Sequence, residues 1–88
     1  MSNDTRPAAS PGPGSSPGEV LLWVRRLAPV QRRRIRDDAG LSRATLGRWL
    51  GCTDGAVVAW EIGRRTPAGM LGERYGALLQ RLLSEEGR

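Results

Sequence analysis

The sequence predicts an all-α fold, a compact bundle of about five short helices. Three observations predict it. Apolar residues recur at spacings of three and four, the period of a helix with one buried face, in four segments, with an Arg-rich fifth among them. Ser, Thr, Pro and Gly stand at the joins between those segments, where helices start and stop. No stretch alternates apolar with polar residues as a half-buried strand would. At 88 residues the chain is one domain at most. A unit of this size buries only about 60% of its unfolded surface, so its core must be compact.

Residues 1–18 (MSNDTRPAASPGPGSSPG) lack any apolar period and cannot bury enough surface to offset chain entropy, so a disordered tail is expected there. The remainder, 19–88, is expected as a single domain. Its first helix runs from Glu19 to Leu27, with Val20, Trp23, Val24 and Leu27 at i, i+3, i+4 and i+7. Glu19 near its start and Arg25 and Arg26 near its end suit the helix dipole. Pro29 breaks the run and fits the first turn of a second helix, Val30 to Ala39, which is Arg-rich with Val30 and Ile35 as its few apolar positions. Gly40 ends it. Ser42 caps a third helix, Arg43 to Leu50, with Leu46, Trp49 and Leu50 as its buried stripe, and Gly51 stops it.

Thr53 caps a fourth helix, Asp54 to Ile62, and Asp54 sits at its positive end. The apolar positions Val57, Val58, Trp60 and Ile62 leave the Asp54–Gly55 edge and Ala59 toward solvent. Gly63 ends this helix, and Arg64, Arg65, Thr66 and Pro67 make a loop. A long last helix, about Met70 to Ser84, carries Leu71, Tyr75, Leu78, Leu79, Leu82 and Leu83 on a wide apolar face.

Composition excludes several kinds of chemistry. There is no His and Cys52 is alone, which removes an intrachain disulfide, a Cys/His zinc site and any His-based acid–base or nucleophilic arrangement. No metal, cofactor, catalytic residue or small-molecule ligand is expected. Gly12 and Gly14 lie in the tail and carry no nucleotide-binding signal. No apolar run approaches the ~20 residues of a transmembrane helix, and the N-terminus lacks the order of a secretory signal, so a cytoplasmic protein is expected.

The net charge is +5, and all fourteen basic residues are Arg. Seven of them (25, 26, 32, 33, 34, 36 and 43) lie between Arg25 and Arg43 against Asp37 and Asp38, so that stretch holds the whole net charge. Such a patch suits a polyanion, nucleic acid ahead of an anionic membrane. The plainer alternative is that individual Arg side chains only solvate helix faces.

With the helices placed, the segment from Arg33 to Leu79 resembles the helix-turn-helix domain of the Cro/XRE class of phage and bacterial regulators, a lambda-repressor-like fold. The residues that carry the resemblance are Ile35-Arg36, Ala39-Gly40-Leu41-Ser42, Leu46, Leu50-Gly51, Val57, Trp60-Glu61, Gly63-Arg64-Arg65 and Pro67, in that order and spacing. The resemblance implies a structural ion pair between Arg36 and Glu61. It also implies that the fourth helix enters the major groove of double-stranded DNA, with Thr53, Asp54, Gly55, Ala56 and Ala59 facing the bases. Arg43, Arg64 and Arg65, with Arg48 as a further candidate, then fall where the family touches phosphates.

The chain departs from the family at the base-facing positions. Nothing there offers an Arg–guanine or Gln/Asn–adenine bidentate contact, each worth about 1–3 kcal/mol of discrimination. Asp54 serves equally as a reader of a cytosine amino group or as a helix-start charge. The function implied is a small transcriptional regulator, a repressor or accessory factor that grips phosphates through Arg with limited base readout. The alternative is a protein-interaction module on the same fold. A homodimer is a further expectation, with the first helix (Val20 to Trp23) and the last helix (Leu71, Tyr75, Leu78, Leu82) as the surfaces on offer.

Overall fold

The computed structural model describes residues 11, 12 and 14–86, and among them are five helices and no strand. They are α1 (Pro17–Arg26), α2 (Pro29–Asp38), α3 (Arg43–Leu50), α4 (Asp54–Glu61) and α5 (Gly69–Glu86). None is long and apolar enough to cross a membrane. The disorder expected for residues 1–18 falls largely on positions 1–10 and 13, outside the described residues.

At its other edge the expectation is corrected, because α1 starts at Pro17 rather than Glu19. Ser16 Oγ accepts from the Glu19 amide at 3.2 Å, and Glu19 Oε1 accepts from the Ser16 amide at 3.1 Å. This reciprocal cap satisfies two amides of the first turn, and Pro17 at the first helical position loses nothing by having none. The Ser-Pro-Gly-Glu run thus begins a helix although its composition matches the tail before it.

The core draws on every helix. Trp23, Val24 and Leu27, Ile35, Leu46 and Leu50, Val57 and Trp60, and Tyr75, Leu79 and Leu82 form one buried cluster. Trp60 stacks on Tyr75 with ring centroids 4.3 Å apart. The principal packing pairs are α1 on α5 and α3 on α4, with α2 against both α4 and α5. Two α5 glycines allow the first pairing. A Cβ on Gly76 would lie 2.7 Å from Val20 Cγ1, and one on Gly72 would lie 2.8 Å from Leu21 Cδ1. So α1, which lies outside the resembling segment, is part of the core. The α5 residues Tyr75 and Leu82, offered above to a partner, are used inside the molecule.

Two apolar expectations are corrected. Trp49 is 60% exposed. At about 100° per residue, a face made of Leu46, Gly47 and Leu50 leaves Trp49 roughly a quarter-turn off its centre. Ile62 is also exposed, because α4 ends at Glu61 and the chain turns away there. Val30 is exposed as well, so Ile35 is the chief apolar anchor of α2.

The rest of the buried face of α2 is charged. Arg32 and Arg36 share it with Ile35, at i, i+4 and i+3. Arg32 is 3% exposed and donates to three backbone carbonyls: Val24 at 3.1 Å, Arg25 at 3.3 Å and Trp60 at 2.9 Å. Those oxygens belong to the last turns of α1 and α4, where helix carbonyls lack intrahelical partners and the dipole is negative. Burial pushes the Arg32 guanidinium pKa down from its ordinary value, though a guanidinium stays charged in proteins.

Arg32→Met is expected to destabilise the domain by about 3 kcal/mol, because it strands buried acceptors. Thermal unfolding followed by circular dichroism should register a fall of roughly 12–24 °C. Arg32→Lys should recover only part of the loss, since a compact ammonium cannot span two helix ends as the planar fork does. A melting temperature unchanged in Arg32→Met would remove this role.

Candidate nucleic-acid interface

The α3–α4 pair is joined by a three-residue turn. Gly51, with φ +76°, closes α3 in the left-handed conformation that glycine adopts without strain. Thr53 then caps α4, its Oγ1 accepting from the Ala56 amide at 3.2 Å. The two helices approach closely at Gly47, where a Cβ would stand 2.8 Å from the Cys52 carbonyl oxygen and 3.2 Å from Thr53 backbone atoms. A larger residue there would push the start of α4 away from α3. Within the turn, Cys52 is half-buried, and burial pushes its thiol pKa up.

The far end of α4 is held by charge. Glu61, its side chain fully buried, accepts from Arg36 through both oxygens: Nε to Oε2 at 2.6 Å and Nη2 to Oε1 at 2.9 Å. Arg36 also donates to the Leu41 carbonyl at 2.6 Å and lies 3.1 Å from Asp37 Oδ1. The hydrogen bond to Glu61 holds the Arg36 pKa above its ordinary value, against the opposing effect of burial. Arg43 adds a third contact, donating from Nε to Glu61 Oε1 at 3.0 Å. One carboxylate thereby fastens α2, the first residue of α3 and the last residue of α4 together.

Of the positions expected to face bases, Thr53, Asp54 and Gly55 are exposed and Ala56 is half-buried. Ala59 is a correction. It is 7% exposed, because the chain leaving α4 doubles back over it, with the Arg64 and Arg65 amides donating to its carbonyl at 2.9 and 3.2 Å. Its methyl does not join the leading edge.

Of the expected phosphate contacts, Arg48, Arg64 and Arg65 are exposed, and the Arg43 side chain is 36% exposed while bound to Glu61. The Arg43 head group and the Arg64–Arg65 segment therefore gather around the same end of α4. The basic run in the sequence does not become one basic surface. Arg32 and Arg36 are interior, and Arg33 pairs with Asp37 one turn on at 3.3 Å.

Gly47 escaped the sequence reading, and Arg32 entered it only as one cation of the basic run. For Gly47 a signal existed, since a glycine inside a helix costs about 1 kcal/mol against alanine and usually has a packing reason. Comparison of the chain with family models, with curated proteins and with solved structures returns no match.

Glu61→Ala should cost about 3–5 kcal/mol in chemical denaturation, because Arg36 would be left buried without its counter-charge. Arg43→Ala, whose side chain is partly in water, should cost about 1 kcal/mol or less. Equal costs for the two would contradict the clamp. The Cys52 thiol, holding less thiolate at any given pH than a free cysteine, should react several-fold more slowly with a thiol reagent near pH 8 and reach the free rate in denaturant.

Proposed function

We propose that the α3–turn–α4 unit binds double-stranded DNA as a Cro/XRE-type helix-turn-helix, in a small repressor or accessory transcription factor. The observation that carries this reading is the open leading edge of α4. Thr53, Asp54 and Gly55 face solvent on a helix whose two ends are fixed, at Gly47 and at Glu61, while exposed arginines border the same unit. Eight residues make α4 about 12 Å long, and the major groove is about 12 Å wide.

Arg64 and Arg65, with Arg48 and the half-exposed Arg43, supply phosphate contacts, which set register and most of the affinity but carry no sequence information. Base readout is thin. Asp54 accepts from a cytosine amino group and Ala56 meets a thymine methyl, so preference depends chiefly on DNA shape and on spacing between bound copies. This activity puts the protein in the cytoplasm, on the nucleoid.

Fluorescence anisotropy with mixed-sequence duplex should show binding at about 50 mM salt that weakens steeply by 200 mM. Four phosphate contacts correspond to a slope of about −3 to −4 in log K against log salt. The double variant Arg64→Ala/Arg65→Ala should weaken binding to all sequences alike and flatten that slope by about 2, with little change in melting temperature. Absence of binding at the lower salt would overturn the proposal in favour of a protein-interaction module on this fold.

A further inference from the structure

Trp49 is the most conspicuous apolar group left in water, and it stands between two hollows. Both are floored by Leu78 of α5 and edged by Arg81. The larger, about 570 Å³, also contains Asp38 and Glu85, whereas the smaller, about 360 Å³, contains Arg74 and no carboxylate. The patch is therefore an exposed indole with Arg81 shared between its two sides, a net acidic hollow (Asp38 and Glu85) on one side and a wholly basic hollow (Arg74) on the other.

We infer that this patch joins two copies of the chain, paired about a two-fold axis that passes through Trp49. A two-fold axis lying in the contact plane brings each point of the patch against its mirror position across the axis. The two indoles then meet each other, and the acidic hollow of one protomer lies over the basic hollow of its partner, twice. Opposed charge fixes the register of such a contact, and Trp and Arg are the residues that most often anchor one. The chemistry selects a second copy of this chain over duplex DNA, because Asp38 and Glu85 repel phosphates. It also selects a second copy over a partner of a single charge sign, because the patch carries both signs.

The inference does not need the DNA reading. Sedimentation of the full chain without DNA tests it, and a monomer that still binds duplex would overturn the dimer alone. The wild type should show a concentration-dependent monomer–dimer equilibrium. Trp49→Ala, which removes a side chain already in water, should weaken dimerisation about ten-fold or more while the melting temperature holds.

Two charge variants give the decisive arm. Asp38→Arg/Glu85→Arg makes both hollows basic, and Arg74→Glu/Arg81→Glu makes both acidic. Each alone should be monomeric, and an equimolar mixture should form a heterodimer with both contacts restored. A wild type that stays strictly monomeric at several hundred micromolar, a Trp49→Ala variant that dimerises as well as wild type, or charge variants that fail to pair when mixed would each overturn the inference.

Discussion

A guanidinium taken out of water must be met by acceptors on several sides, and the position of α2 is governed by that demand. Arg32 finds its acceptors in the terminal carbonyls of α1 and α4, and Arg36 finds them in the Glu61 carboxylate and the Leu41 carbonyl. The second helix is otherwise poor in apolar residues and has little with which to hold its place. Its two inward charges replace the missing hydrophobic contacts with directional ones, which fix angle and register as well as proximity. The interface proposed for DNA depends on this, since the same carboxylate that answers Arg36 also ties the last residue of α4 to Arg43, the first residue of α3.

The consequence for electrostatics is a redistribution. Seven arginines packed into nineteen residues suggest a cationic surface, yet folding draws two of them inside and occupies two more with Asp37 and Glu61. The exposed cations nearest the α3–α4 unit come from Arg48, Arg64 and Arg65, outside that run. Charge density along a chain and charge density on a folded surface are different quantities, because a helix carries every third or fourth residue to the same face.

Helix positions were legible wherever a local cause was strong. Ser42 and Thr53 cap as their residue types predict, Gly51 stops α3, and the i, i+3, i+4, i+7 stripe of α1 is buried as spaced. The start of α1 was hidden because Ser16, Pro17 and Gly18 look like the tail they follow. Trp49 misled for a different reason. In an eight-residue helix, two candidate stripes differ by one residue, and what decided between them was the absent side chain of Gly47, a close approach visible only in three dimensions. Ala59 and Arg32 share that lesson, since each is covered by a segment distant in sequence or beyond its own helix end. At the site itself, the open edge at Asp54–Gly55 followed from the pattern, but the burial of Ala59 and the division of arginines between interior and surface did not.

The leading residues of α4, Asp54 and Gly55, contribute no side chain to the core, and the helix is held behind them by the turn packed on Gly47 and at its far end by Glu61. Substitutions at Asp54 and Gly55 therefore alter what the edge touches without disturbing what supports it. A scaffold built this way separates the inheritance of shape from the inheritance of preference: a lineage carrying it is free to change its target by point replacements, with the fold bearing none of the burden.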